Sequence, residues 1–204
     1  MKTKSNHFFV TAIGTDSGKT LVSAILTKRL SATYWKPIQC GEPTDRSQIE
    51  KWFGNAIKIL PERHFLSTPA SPHFAAQKEL TEIQLSDFEL PKVEGAFVVE
   101  GAGGLLVPLN QNDTIADLIL HFRLPVVLVV NHYLGSLNHS LLTVNELNRR
   151  GIEIAGIVFN GENFQNAEDI ILKQAKCKCW LRIPRLEMLN EDVISDLAAQ
   201  IQFD

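Results

Sequence analysis

Seven residues, Gly14-Thr15-Asp16-Ser17-Gly18-Lys19-Thr20, stand between an apolar run and an amphipathic stretch, and few backbone arrangements accommodate all three. Phe8 to Ile13 is apolar and of strand length, while Thr20 to Leu30 sets Leu21, Val22, Ala24, Ile25, Leu26 and Leu30 at helical spacing. Strand, glycine-bearing turn and helix start, in that order, are what a phosphate-binding loop requires. Backbone N–H groups there converge on an anion, and the helix N-terminus adds partial positive charge. In such a loop Gly18 lets the backbone approach closely, Lys19 reaches the β- and γ-phosphates, and the Thr20 hydroxyl coordinates Mg²⁺. The usual spacing has glycine at position 13, where this chain has Ile13, so the loop is a variant. The plain alternative is a chance Gly-Lys-Thr at a helix start.

The same alternation continues along the chain. Strand-like runs at Tyr34 to Ile38, Ala96 to Glu100, Val126 to Val130 and Ile154 to Phe159 are separated by helical stretches, among them Leu137 to Arg150 and Ala167 to Ala175. Val/Ile/Leu-rich strands joined by helices imply an α/β fold, a doubly wound, mostly parallel sheet with helices on both faces. The 204 residues suit a single domain over 1–204. Proline-rich Pro61 to Pro72 reads as a lid-like loop. With 45% apolar residues the chain is no candidate for disorder, and a net charge of −3 without a basic block argues against nucleic acid or anionic membrane as partner. The apolar run from Leu124 to Val130 is too short to span a bilayer, the N-terminal ten residues lack the apolar length of a cleaved leader, and Cys40, Cys177 and Cys179 are too few for a disulfide framework. Cytoplasm is the expected location.

Further motifs follow in order: Tyr34-Trp35-Lys36-Pro37-Ile38-Gln39-Cys40-Gly41, Thr44-Asp45, Ser71-Pro72-His73, Glu100-Gly101-Ala102-Gly103-Gly104, Leu134-Gly135-Ser136-Leu137-Asn138-His139, and Gly156-Ile157-Val158-Phe159-Asn160. With the variant loop, this ordered set resembles the dethiobiotin synthetase family from about Phe8 to Leu186. The resemblance implies a P-loop fold and an ATP-dependent ligase that joins CO₂ (or bicarbonate) to 7,8-diaminononanoate. An amine captures CO₂ as a carbamate, the carbamate attacks the γ-phosphate to give a carbamic–phosphoric anhydride, and the second amine closes the ring and expels phosphate.

Residue by residue, the resemblance implies catalytic roles for Lys36, Lys19 and Thr15. Thr20, Asp45 and Glu100 are its implied Mg²⁺ ligands, oxygen donors of the kind Mg²⁺ prefers. Its nucleotide contacts run through Asp16, Ser17, Gly18, Lys19, Thr20 and Leu21, the Gly101-Ala102-Gly103 loop, Asn160 and Gly161 at the base, and Pro184, Arg185 and Leu186 beyond. Substrate contacts fall to Cys40, Ser71, Leu134, Gly135, Ser136 and Asn138, the last four across a homodimer interface.

Each assignment has an ordinary competitor. Lys36 suits a surface strand end, Glu100 and Asp45 suit capping positions, Asp16 suits an exposed turn, and Asn160 suits a turn after a strand. His73 reads first as structural. Cys177 and Cys179 read as alternate positions of one strand, not as half of a zinc site. Two departures from the family stand out. Cys40 replaces a Ser or Thr, and a thiol is a weak donor; Ala12 replaces a glycine, which matters only where φ is positive. The alternative function is a regulatory or partner-switching P-loop ATPase. The signature lysine of partition and septum-placement ATPases is absent, since Ile13 and Gly14 hold the positions where it would stand. A nucleotide-binding module without chemistry is the third reading.

Overall fold

Strands apolar on both faces need helices on both sides, and that is how this chain is arranged. The computed structural model describes residues 6–162 and 166–203. Residues 1–5, on which the leader expectation partly rests, lie outside these. In chain order the elements are β1 (His7–Ala12), α1 (Lys19–Leu30), β2 (Thr33–Trp35), β3 (Ile38–Cys40), α2 (Asp45–Phe53), β4 (Ile59–Leu60), β5 (His64–Leu66), α3 (Pro72–Lys78), β6 (Phe97–Glu100), α4 (Ile115–Phe122), β7 (Val126–Asn131), α5 (Ser136–Arg149), β8 (Ile154–Asn160), α6 (Glu168–Ala175), β9 (Cys179–Ile183) and α7 (Glu191–Ala199).

Seven strands form one sheet in the order β4-β2-β6-β1-β7-β8-β9, and every pairing is parallel. Side chains alternate across it. Phe8, Val10 and Ala12 of β1 pack with Val22, Ile25 and Leu26 of α1 and with Ile194 and Leu197 of α7. Phe9 points the other way, among Ile119 and Phe122 of α4, Val144 and Leu147 of α5, and Ile171 of α6. Because all strands run one way, their carboxyl ends share one edge, where open parallel sheets bind ligands.

Four sequence expectations are corrected. The strand expected from Tyr34 to Ile38 is split: β2 stops at Trp35, and β3 pairs with β5 in a separate two-stranded parallel sheet. Pro37 is the physical reason, since it cannot donate to a ladder and fixes its own φ. The Pro61 to Pro72 segment is not simply a loop, because it carries β5, and its last residue starts α3. Cys177 precedes β9, so it and Cys179 do not share a strand. Gly101, expected in the nucleotide-contacting loop, has no amide free for a ligand: its N–H donates to the Val10 carbonyl at 3.0 Å, and a Cβ there would lie 2.8 Å from the Phe9 ring. Ala12 lies within β1 and is not among the positive-φ residues, so its methyl fits where the family has glycine. Among the described residues no helix is long and apolar enough to cross a membrane.

Candidate active site

The phosphate loop links β1 to α1. Gly18 sits at φ +93°, in the left-handed region that favours glycine, and a Cβ there would collide with the Asn160 side-chain amide. The loop is braced from within. Ser17 Oγ donates to the Gly14 carbonyl at 3.1 Å, and Lys19 Nζ donates to the same oxygen at 3.3 Å. Burial pulls the Lys19 ammonium below its ordinary pKa, with Glu100 opposing that shift and Lys36 adding to it.

Lys36 follows β2, at the break that Pro37 imposes. Its Nζ donates to Glu100 Oε1 at 3.1 Å and pairs with the Asp45 carboxylate. Burial opposes the Lys36 charge, but Glu100 and then Asp45 outweigh it and raise its pKa. Burial likewise works against the Asp45 charge, and Lys36 overcomes it and lowers that carboxyl. Lys36 is therefore a buried ion-paired lysine, not a surface one. Asp45 is not a cap either. Thr44 caps α2, its hydroxyl accepting from the Ser47 N–H at 3.0 Å, which leaves the Asp45 carboxylate to Lys36.

Glu100 closes β6 and is 1% exposed. Its Oε1 also accepts from the Thr20 hydroxyl at 3.0 Å. Thr20, Asp45 and Glu100 thus offer oxygen donors on three elements around one ammonium. Two carboxylates and a hydroxyl leave the remaining positions to phosphate and water, which is the donor set Mg²⁺ takes in ATP-using sites.

These groups line a cleft of about 710 Å³. Thr15, Asp16, Gly18, Lys19, Thr20, Lys36, Cys40, Asp45, Ser71, Glu100, Ala102 and Gly103 all reach it. Burial pushes the Cys40 thiol up to about 11, with Lys36 pulling weakly the other way. A crevice of about 450 Å³ adjoins the cleft at Asp16, lined by Leu21, Asn160, Gly161, Pro184, Arg185 and Leu186. Ser17 is buried and lines neither; its carbonyl accepts from Asn160 Nδ2 at 3.0 Å. A third, mostly apolar groove of about 420 Å³ meets the cleft at Thr15 and Val107 and runs between Leu106 and the α5 residues His139, Leu142 and Thr143.

Neither Gly101 nor the four substrate residues expected from the Leu134 segment line the cleft within the chain. Leu134, 78% exposed, and Gly135 and Asn138 are on the surface, while Ser136 is buried at the start of α5. His73 is exposed, and its backbone N–H donates to Pro108.

Three residues were missed. Gln39 is buried, accepts from the Asp45 N–H at 3.2 Å and donates to the Gly41 carbonyl at 3.1 Å, so it shapes the turn that delivers Asp45. Tyr34 donates to Glu100 Oε2 at 2.9 Å; burial first, then the Glu100 charge, hold its phenol well above the ordinary range. Asn131, at the end of β7, shares the crevice with Asn160. Tyr34 had a signal: it stands two residues before Lys36, on the same face of an extended segment.

The sequence model of a family described as an AAA domain matches residues 6–193. The chain is 48% identical over 197 residues to an ATP-dependent dethiobiotin synthetase of Cytophaga hutchinsonii, covering 95% of this chain and 96% of that protein. It is 45% identical over 188 residues to one from Rhodopseudomonas palustris, covering 91% and 90%. Among solved structures, a ParA family ATPase from Chlorobium tepidum superposes with a TM-score of 0.57 at 14% identity, covering 96% of this chain and 99% of that one. At that identity the likeness speaks to the P-loop fold alone.

Proposed function

The chain belongs to the family of ATP-dependent dethiobiotin synthetases, and from that premise we propose which of its residues carry out each part of the reaction. It is an ATP-dependent ligase of biotin biosynthesis. The observation that carries the assignment is Lys36, a buried ammonium held between Glu100 and Asp45 in the cleft that Lys19 also lines.

The triphosphate lies along the Gly14–Thr20 loop, whose amides and Lys19 meet its charge. The base enters the crevice, where the Asn160 carboxamide reads its edge and Pro184, Arg185 and Leu186 pack on it. Thr20, Asp45 and Glu100 would hold Mg²⁺, which when bound would neutralise phosphate charge. The aliphatic diamine threads the apolar groove beside Thr15, so that its amines face the cleft. One amine adds to CO₂ and loses a proton, leaving a carbamate anion. Lys36 and Lys19 draw this anion and the γ-phosphoryl group together, and Thr15 donates to the oxygens between them. A carbamate oxygen attacks phosphorus and ADP leaves. The second amine then attacks the carbonyl carbon of the anhydride, and phosphate departs with the ring closed. Most of the acceleration is positioning and charge stabilisation. Cys40 and Ser71 border the substrate end, where the thiol substitutes for a stronger donor.

Leu134, Gly135, Ser136 and Asn138 act from a second copy of the chain in a homodimer. The exposure of Leu106 (54%) and Leu142 (60%) beside the groove supports this. The chain works as one domain, in the cytoplasm, where Cys40 and Cys179 stay thiols. The central test mixes protein, Mg-ATP and bicarbonate, then adds the diamine. ADP release that depends on the diamine supports the ligase; diamine-independent turnover would favour the switching ATPase. Sedimentation at micromolar concentration tests the dimer, and a fully active strict monomer would refute it.

A further inference from the structure

The two oxygens of Glu100 keep different company. Oε1 faces the cleft, with Thr20 at 3.0 Å and Lys36 at 3.1 Å. Oε2 points into the protein and accepts the Tyr34 hydroxyl at 2.9 Å. Tyr34 has no exposed surface, and its ring packs in the core beneath α1. β2 and β6 are neighbours in register Tyr34↔Val98, so Tyr34 and Glu100 lie on adjacent strands, on the same face, two residues apart along the sheet.

We propose that Tyr34 is a positioning residue for the metal: by fixing Oε2, it keeps Oε1 of Glu100 turned toward the position that the cation takes. This rests on Glu100 being a metal ligand. A carboxylate can rotate and present either oxygen. Turning the carboxylate out of its present plane would pull its inner oxygen off the fully buried phenol, so the carboxylate keeps one orientation. The donor is also suited to its place, because a phenol fixes the carboxylate without adding positive charge, whereas a second ammonium behind Glu100 would weaken its hold on a divalent cation. Partners behind metal ligands commonly set ligand orientation and affinity in this way.

Tyr34→Phe removes one oxygen and keeps the ring. With ADP bound, Mn²⁺ affinity read by electron paramagnetic resonance should fall ~10-fold, the usual effect of losing such a partner. ADP affinity measured in chelator should stay as in the wild type. The Mg²⁺ concentration needed for half-maximal turnover should rise, with kcat recovered at saturating Mg²⁺. A folded Tyr34→Phe protein with wild-type Mn²⁺ affinity would overturn the proposal, as would an equal loss of metal-free ADP binding, which marks a merely structural role. Glu100→Gln separates the two levels. If it binds Mn²⁺ as the wild type does, Glu100 is no ligand; if it loses Mn²⁺ while Tyr34→Phe does not, only the role of Tyr34 fails.

Should Tyr34→Phe not fold, the wild-type chain still gives an answer, because it contains only two tyrosines, Tyr34 and Tyr133. With 3-fluorotyrosine incorporated and the signals assigned through Tyr133→Phe, the ¹⁹F resonance of position 34 should shift when Mg²⁺ is added to the ADP complex. A resonance that ignores Mg²⁺ would overturn the proposal.

Discussion

Asn160 donates its side-chain amide to the Ser17 carbonyl at 3.0 Å, across 143 residues of sequence, so a residue that lines the crevice beside the cleft also braces the phosphate loop. If the proposed base contact holds, one carboxamide carries two tasks, and its substitution should cost more than that contact alone. Asn160→Ala should weaken ADP binding ~10-fold, about one charge-free hydrogen bond's worth plus loop order. It should also weaken inorganic pyrophosphate, which has no base. Calorimetry on both ligands decides this; a loss confined to ADP would mean that the brace does no work. Gly18→Ala should abolish nucleotide binding, because its methyl collides with Asn160 and its φ is positive. Adding Asn160→Ala relieves the collision but leaves a backbone cost of ~1–2 kcal/mol, so rescue should be partial.

Lys36 neutralises two carboxylates that otherwise face each other across the cleft. Lys36→Gln should lower turnover by ~10²-fold or more, the scale of removing one donor to developing charge. ADP should still bind. The variant should also melt earlier than the wild type without ligand, since Glu100 is left buried and uncompensated, and Mg-ADP should recover more of the melting temperature in the variant than in the wild type. Wild-type turnover in Lys36→Gln would remove Lys36 from the mechanism.

Burial raises the Cys40 thiol to about 11, so the neutral form is the one that the fold favours. An unfolded thiol ionises near ~8.5. Above that pH the unfolded chain holds fewer protons than the folded one, so this group's stabilisation is intact below ~8.5 and lost as pH rises toward about 11. Iodoacetamide at pH 8 should therefore label Cys40 much more slowly than a free thiol, as read by peptide mass spectrometry. Cys40→Ser should keep activity and bind the diamine at least as well, because a hydroxyl is the better donor.

Thr44 caps α2 and so leaves the next residue, Asp45, to Lys36. Thr44→Ala should cost about 1 kcal/mol, the usual value of a cap, lowering the melting temperature by ~2–4 °C for a chain of this size. Thr44→Ser, which keeps the capping hydroxyl, should restore the melting temperature. A Thr44→Ala melt identical to wild type would show that the cap is dispensable.

The order of β1, loop and α1 could be read from the sequence with ends one residue off, because an apolar strand run, a glycine-bearing turn and a helix start are local properties of adjacent residues. Lys19, Thr20, Lys36, Asp45 and Glu100 were named from ordered motifs, and they do share one cleft. The break at Lys36-Pro37 was also present in the letters, but the second sheet it creates was not, since β3 finds β5 only through the tertiary fold. Gly101 was misread for a related reason: what excludes a side chain there is the Phe9 ring of a neighbouring strand.

What the sequence determined by itself was the local chemistry: where an anion can be cradled, which strands are buried on both faces, and where charge stands at their ends. What only the tertiary structure decided was adjacency. β6 inserts between β2 and β1, and that order alone brings Tyr34 behind Glu100 and Lys36 in front of it. Strand order is set by how whole helices cross the sheet and pack, a property of the entire chain, and no short stretch of residues encodes it.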